Sequence, residues 1–524
     1  MNIDYRVVVP DDHDELVSLW SSDSHIGYSE SDSPEHMRAY LERNPDCSFV
    51  AVDSDRIVGS VMAGEDARRG FINHLYVRPQ YRGKGVGSKL AALAEDALAQ
   101  RFPTKSYVFV KYDNEDAIRF WRRRGYYLCD DFCVMRTSLS SESYASYSEL
   151  DEEGVVAYLK NRELVPCEAE VRCAEFGDGN LNHIYRVTWE DSALIVKQSM
   201  PHGKIDVTCF EPVCRGVYES RYVTFFETKM AGMLEHRLYS DEIMALSVYE
   251  DYSPCMTLRH SLAAGQRVVG VGSFLGTYLA NELFYSSVFS LGIEQKKQLE
   301  STFSNMRSRK LTEDYILVSP FYDSPDNCVE DAIRPLVEQV WSDGGLKTKA
   351  RLLAAEFVSN KQCLIHGDFH PGNIFTRREG CIVSDFDFAS WGPVSYDLGT
   401  MTGNLIISCE CWARKADGAE MCSYILKQIS DMYAAFADTF SSLLSEEDCV
   451  PLSDFLRDIV ASSFGYAGCT IAGRSYGYCR FSEITSIADP AELTIVFGRL
   501  LEDMRFLMLK PHNVEELVSF MMRE

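Results

Sequence analysis

CLIHGDFHPGNIF, residues 363–375, places two histidines four apart around an aspartate and runs on to an asparagine. A zinc-protease reading needs His366 and His370 on one helix face with a glutamate between them. Pro371 and Gly372 follow at once, and a proline there breaks such a helix. The stretch is therefore a loop, and the residues after it set its chemistry. NIFTRREGCIVSDFDFASWGP, residues 373–393, reads as a short strand, a turn at Arg378-Glu379-Gly380, and a second strand that delivers Asp385 and Asp387. An aspartate in a loop, an asparagine a few residues on, and further aspartates beyond a hairpin are what phosphoryl transfer requires. Asp368 is then expected to accept the proton of an acceptor hydroxyl. Asn373 and Asp385, with Asp387 through water, are expected to hold Mg²⁺ on the phosphates of ATP. Oxygen ligands suit Mg²⁺ better than imidazoles do, which leaves His366 and His370 as braces of the loop.

Such a loop needs a nucleotide lobe upstream, and AEFGDGNLNHIYRVTWEDSALIVKQSM, residues 174–200, supplies one. Gly177 and Gly179, followed by Asn180, form a tight turn between strands, and ALIVKQ presents Lys197 from an apolar strand to phosphate oxygens. A lysine so placed needs an acid; in YESRYVTFFETKMAGMLE the choice is Glu227, with Glu219 the runner-up. LSVYEDYS, residues 246–253, reads as a strand running into a hinge, where the backbone around Tyr249, Glu250 and Asp251 meets adenine. Asp397 in SYDLG reads as a structural residue.

The rest of the chain frames these motifs. At 524 residues two or three domains are expected. A net charge of -26 argues against nucleic-acid binding and offers no basic face to an anionic membrane. MNIDYRVVVPDDHDELVSLW has no cationic region followed by an apolar run, so a cytoplasmic protein is expected. The 17 cysteines are scattered without a C-x-x-C pair and read as small buried hydrophobes. TSLSSESYASYSELDEEG, residues 137–154, is rich in Ser and acids and reads as a linker. The first 140 residues carry 18 Lys and Arg against 22 Asp and Glu, so the acidity belongs to the larger part.

Ahead of the linker, CSFVAVDSDRIVGSVMA reads as two strands about a turn, and GFINHLYVRPQ as another, with Ile72, His74 and Tyr76 on one face. QYRGKGVGSKLAALAEDALAQ follows, its Gly83, Gly85 and Gly87 turning backbone N–H groups toward one point at the start of an Ala/Leu helix, an anion site. A strand, SYVFVKY, and NEDAIRFWRRRGYY complete the order. This succession resembles the GNAT family of acetyl-CoA-dependent N-acetyltransferases. The resemblance implies that the N–H groups of Arg82, Gly83, Lys84, Gly85, Val86, Gly87 and Ser88 hold the pyrophosphate of acetyl-CoA, with Asn114 beside the pantetheine arm. Trp121 stands where many relatives have the tyrosine that returns a proton to the thiolate; Tyr126, Tyr127 or a water is left for that role, and His74 or Glu65 for the base.

The larger part looks like the aminoglycoside phosphotransferase and choline kinase superfamily, with a protein-kinase-like fold. Within it GDGNLNHIYRV, IVKQSMP, LGTYLANELFYSSVF, LTEDYILVSPFYD and GYAGCTIAGRSYGYCRFSEITSIADPAE resemble the methylthioribose kinases. That family moves the γ-phosphate of ATP to O1 of 5-methylthioribose in methionine salvage. Asp385-Phe386-Asp387 stands where the family commonly has Asp-Pro-Glu, Pro371-Gly372-Asn373 where it usually has Thr-Gly-Ser, and Gly473-Arg474 where a pair of arginines grips the sugar, so only Arg474 carries over. The expectation is an α+β multidomain protein. A GNAT fold with a mixed central sheet and flanking helices (1–138) and a linker (139–155) precede a bilobal protein-kinase-like fold with its N-lobe at 156–253 and a helical C-lobe at 254–524. It would be a bifunctional small-molecule transferase using ATP, Mg²⁺ and acetyl-CoA, with a homodimer one assembly left open. The alternatives are an antibiotic-modifying phosphotransferase and acetyltransferase, or an active kinase with a non-catalytic acyl-CoA-sensing first domain. Without D-F-G or A-P-E elements, protein-kinase activity is disfavoured.

Overall fold

A computed structural model describes residues 3–523 except 22–31, 55, 102–104, 111–113, 128, 130–145, 177–180, 205–211, 254, 379, 416, 446–450 and 511–512. The chain divides into two compact units, Met1–Val134 and Met135–Glu524.

In the first unit the strands β1 (Asp4–Val7), β2 (Phe49–Asp53), β3 (Arg56–Glu65), β4 (Gly70–Val77) and β5 (Ser106–Val108) form one sheet in sequence order. All neighbours are antiparallel except β4 and β5, which run parallel, so the sheet is mixed. The helices are α1 (His13–Trp20), α2 (Pro34–Arg43), α3 (Val86–Ala99) and α4 (Glu115–Arg123). The Ala/Leu stretch forms α3 and buries Val86, Leu90, Ala91, Ala94 and Leu98 in a helical-period stripe against the strands. Gly85, with φ +83°, turns the chain into α3, a backbone conformation that side chains rarely adopt.

The second unit starts earlier than the sequence suggests. Helix α5 (Glu152–Asn161) begins inside the expected 139–155 linker, Tyr147 Oη donates to the Ser199 carbonyl at 2.8 Å, and the Leu150 N–H donates to Gln198 Oε1 at 3.0 Å. Leu150 and Val155 are buried with Val187, Val196 and Val248. The few apolar residues among serines and acids suffice to dock this segment on the sheet, so 146–155 is part of the N-lobe; 139–145 lie outside the described residues. That sheet is antiparallel, in the order β6 (Arg172–Glu175), β7 (Asn182–Trp189), β8 (Ser192–Ser199), β10 (Leu246–Glu250), β9 (Arg237–Asp241), with α6 (Cys214–Phe226) packed against it. Lys197 lies across from Ile184 on β7 and Ser247 on β10, at the sheet's centre.

The C-lobe is helical around a single large apolar core. Three short strands, β11 (Met256–Thr257), β13 (Ile374–Thr376) and β14 (Cys381–Val383), make one small sheet, and β12 (Cys363–Ile365) pairs with β15 (Ser390–Gly392). The loop 366–373 is thus pinned at both ends by buried strands. The helices α7 (Leu258–Ala263) and α8 (Val271–Ser286) lead into the lobe, and the Val394–Trp412 helix follows β15.

Candidate active site

Two clusters of charge lie in the second unit, one around Lys197 and one around Asp368. In the first, Lys197 Nζ donates to Glu219 Oε1 at 2.9 Å and to Asp385 Oδ1 at 2.6 Å, and lies 3.2 Å from Asp387 Oδ1. Burial alone would push the lysine's pKa down, but these three carboxylates raise it well above its usual value. Burial likewise opposes ionisation of Asp387. Lys197 and Arg215, the latter's Nε 3.7 Å from Oδ2, nonetheless hold that carboxyl down at about 2, with Asn182 Nδ2 donating to the same oxygen.

The lysine's acid is Glu219, not Glu227. Glu219 sits within α6 on the face turned to the sheet and is buried, whereas Glu227 caps the end of the helix, about half exposed and 4.0 Å from Arg237. Glu235, which the sequence reading did not single out, accepts the Asp385 N–H at 3.3 Å, and burial pushes it up to about 7. Asp385 has φ +68°, unusual for a residue with a side chain, so this acceptor steadies a backbone that is otherwise disfavoured.

In the second cluster Arg474 Nη2 donates to Asp368 Oδ1 at 2.6 Å, and His370 Nε2 lies 3.4 Å from Oδ2. His370 Nδ1 accepts the Gly372 N–H at 3.0 Å and is approached by Arg259 at 3.4 Å. Two donors on Nδ1 leave the proton of neutral His370 on Nε2, facing Asp368. Burial opposes ionisation of Asp368, yet His370 and Arg474 hold it well below the usual carboxylate range. Since burial also pushes His370 down, Arg474 is the lasting cation of the two. His366, buried and pushed down to about 4, accepts the Asp368 N–H on Nδ1 at 3.3 Å and donates from Nε2 to the Ser384 carbonyl at 3.1 Å. Neither imidazole has a lone pair to give a metal, and both brace the loop. Gly367 carries φ +82°, and a Cβ there would stand 2.3 Å from the Phe388 carbonyl, so only glycine closes this turn.

The donor set fits Mg²⁺. Carboxylate oxygens of Glu219, Asp385 and Asp387 lie within 4.8 Å of one another. Asn373 Nδ2 is spent on the Asp368 carbonyl at 3.1 Å, which leaves its Oδ1 for a cation. These are hard oxygen donors with no thiolate or imidazole among them. Glu250 ends β10 with its side chain beside Tyr252 and His236, and Gly177, Gly179 and Asn180 lie outside the described residues.

In the first unit Gly83 and Gly85 both have positive φ, and nothing lies within 4 Å of where their Cβ atoms would be. The first-turn N–H groups of α3, at Val86, Gly87 and Ser88, have no intrahelical acceptor. Arg82 Nε donates to the Val77 carbonyl and Lys84 Nζ to the Gln80 carbonyl, each at 2.8 Å, which ties the loop's side chains back; the Arg82 N–H, expected at the pyrophosphate, instead donates to the Pro79 carbonyl at 3.1 Å. Asn114 Oδ1 caps α4 by accepting the Ala117 N–H at 3.0 Å. Trp121 is buried edge-on to Tyr126, whose Oη lies 2.6 Å from Ser106 Oγ, while Tyr127 is exposed. His74, at a strand irregularity with φ +47°, has Nε2 3.4 Å from Asp32 Oδ1 and its ring against Trp20; Glu65 is drawn to Arg101 and the Ala67 N–H.

Among the described residues no helix is long and apolar enough to cross a membrane. Residues 13–126 match the model of the acetyltransferase (GNAT) family, and residues 315–418 that of the phosphotransferase enzyme family. The methylthioribose kinase of Bacillus velezensis is 31% identical over 360 residues, covering 67% of this chain and 89% of that protein. That of Bacillus cereus is 30% identical over 353 residues, covering 66% and 88%. The crystal structure of PaiA N-acetyltransferase from Thermoplasma acidophilum in complex with coenzyme A is similar at 19% identity, covering 25% of this chain and 94% of that one with a TM-score of 0.23. The chain is thus a transferase that belongs to the methylthioribose kinase family in its C-terminal part and carries a domain of the GNAT acetyltransferase family at its N-terminus.

Proposed function

We propose that the second unit is an ATP-dependent kinase that phosphorylates O1 of 5-methylthioribose, a step of methionine salvage, and that the first unit is an acetyl-CoA-dependent N-acetyltransferase. The observation that carries the kinase reading is the setting of Asp368: a carboxylate that accepts from Arg474 and faces His370 at the end of a pinned loop, placed to take a proton. As the bond from O1 to the γ-phosphorus forms and the bond to the ADP oxygen breaks, the hydroxyl proton passes to Asp368. Lys197, set by Glu219, pairs with the phosphate oxygens. Bound through Asn373, Asp385 and Asp387, Mg²⁺ would supply neutralisation of phosphate charge.

Arg474 has a second task. To let a hydroxyl reach Asp368 it must give up one bond or share it, and a guanidinium with five donors can bridge the carboxylate and a neighbouring sugar hydroxyl. In the first unit, the first-turn N–H groups of Val86, Gly87 and Ser88 support pyrophosphate binding, and His74 beside Asp32 supports a base for the amine.

ADP release by the intact chain with MgATP, measured against methylthioribose, ribose, other pentoses and aminoglycosides with and without acetyl-CoA, tests this reading. Turnover of methylthioribose is expected. Phosphorylation of another acceptor alone would keep the kinase and discard the sugar, and no turnover of any acceptor would discard both.

A further inference from the structure

Two carboxyls lie against each other beneath the loop that carries Asp368, and the chemistry above uses neither as ligand or base. Glu282 of α8 and Asp397 of the Val394–Trp412 helix are fully buried, and each carboxyl lies close enough to shift the other's ionisation. Asp397 accepts the N–H groups of His366 at 2.8 Å and Gly367 at 3.1 Å. Tyr222 Oη donates to Glu282 Oε1, and Tyr278 Oη lies 2.7 Å from Tyr222 Oη. Glu282 Oε2 receives no N–H or O–H from any other group.

The remaining titratable groups that face the pair are Cys363, His366, Asp368 and Tyr396, and none brings a positive charge, since His366 is neutral. Among the described residues no lysine or arginine forms an ion pair with either carboxyl. Two buried carboxylates in contact without a cation cannot both be ionised, so one proton lies between them. Asp397 already serves as an acceptor twice over. A proton on Glu282 Oε2, donated to Asp397, satisfies every polar atom along the row Tyr278, Tyr222, Glu282, Asp397 and the loop N–H groups.

We propose that Glu282 is a positioning residue of the kinase site, protonated in the folded enzyme and donating to Asp397, so that one buried proton ties α6 to the loop of Asp368. Three features meet at this row. Helix α6 carries both Tyr222 and Glu219, the partner of Lys197. Tyr222 stacks at 4.5 Å on Phe386, which separates Asp385 from Asp387. Ser286, one helical turn beyond Glu282, accepts the Leu364 N–H at 2.9 Å in the strand that enters the loop.

The proton makes the arrangement sensitive to pH. Burial pushes Asp397 up to about 8 and raises Glu282 as well. A carboxyl raised in this way stabilises the fold at low pH; that contribution is full below the ordinary carboxyl value of about 4 and is lost as pH climbs from there through about 8.

Glu282→Gln is the discriminating variant, because its Nε2 can donate to Asp397 and its Oε1 can accept from Tyr222 while it has no proton to lose. The catalytic arm of the test rests on the kinase reading, and the unfolding arm does not. With MgATP and methylthioribose, Glu282→Ala should lower kcat by roughly tenfold or more through misplacement of the loop. Glu282→Gln should recover most of that loss and should lack the wild-type fall in kcat on the alkaline side. In thermal unfolding of the full-length chain, wild-type stability should decline between about pH 4 and 8 with a slope of up to one proton and level off above that, and Glu282→Gln should lose that slope. Should Glu282→Ala not fold, Tyr222→Phe, which removes the hydroxyl that donates to Glu282 and meets Tyr278 Oη, takes its place. Equal pH slopes for wild type and Glu282→Gln, or a glutamine variant as impaired as the alanine one, would overturn the proposal. If no acceptor is turned over, the unfolding arm decides it alone.

Discussion

At the scale of the residue, the arrangement fixes the charges of Asp368, Asp387 and Lys197. Asp368 should never be the group that fails on the acid side. With its pKa held below the usual range, a pH profile of kcat/KM should show no loss from its protonation down to about pH 5. Arg474→Gln removes the lasting cation and leaves only His370 to oppose burial, so an acid limb should appear and move upward in pH. An unchanged acid limb would show that Arg474 does not set Asp368. The pair that fixes Lys197 makes a similar claim. Glu219→Gln breaks a charged hydrogen bond inside the lobe and should weaken kcat/KM for ATP by roughly ten- to a hundredfold, while Glu227→Gln should stay within about twofold. The reverse order would restore Glu227. The sequence reading singled out Asp368, Asn373, Asp385 and Asp387 because the loop and the hairpin that carry them lie close together in the chain. It preferred Glu227 to Glu219 because both acids lie in one amphipathic stretch, and only the packing of α6 on the sheet decides which turns inward. Glu235, Arg259 and Glu282 left no signal, since an acid or arginine in an apolar stretch reads as a surface residue until its distant partner is known.

At the scale of the element, short strands and one tight turn do the positioning. β12 and β13 clamp the two ends of the loop, and Gly367 closes it in a conformation that other residues resist. Gly367→Ala combines a strained backbone, about 1–3 kcal/mol, with a contact of 2.3 Å that forces the Phe388 carbonyl away. Activity should fall with little change in ATP affinity, as kinetics and nucleotide titration would show; a fully active variant would mean the loop tolerates another path. The order of elements was legible: the hairpin after the loop, the lysine strand, the Gly-rich turn before α3. The linker was not legible in full. Leu150 and Val155 are too few to give a period, yet they bury against β7, β8 and β10 and draw 146–155 into the lobe.

At the scale of the whole molecule, each unit has apolar clusters of its own, and each is expected to bind its own nucleotide-bearing ligand. Calorimetry of the intact chain should therefore resolve two transitions, with ADP and Mg²⁺ raising one and acetyl-CoA raising the other. Gly85→Glu, which puts an anion where the pyrophosphate is expected, should abolish the second shift and leave the first; loss of both would show that the two sites are coupled. Family membership was readable across both parts because the motifs are long and peculiar, whereas the acceptors depend on side chains gathered from many elements. The most direct test of the account is transfer of the γ-phosphate of ATP to methylthioribose by the intact chain, with the product's phosphate located by NMR, for the wild type and for Asp368→Asn. The account predicts phosphate on O1 and a loss of roughly 10²- to 10⁴-fold in the variant with nucleotide binding retained. Undiminished transfer by Asp368→Asn, or phosphate on any other oxygen, would contradict it.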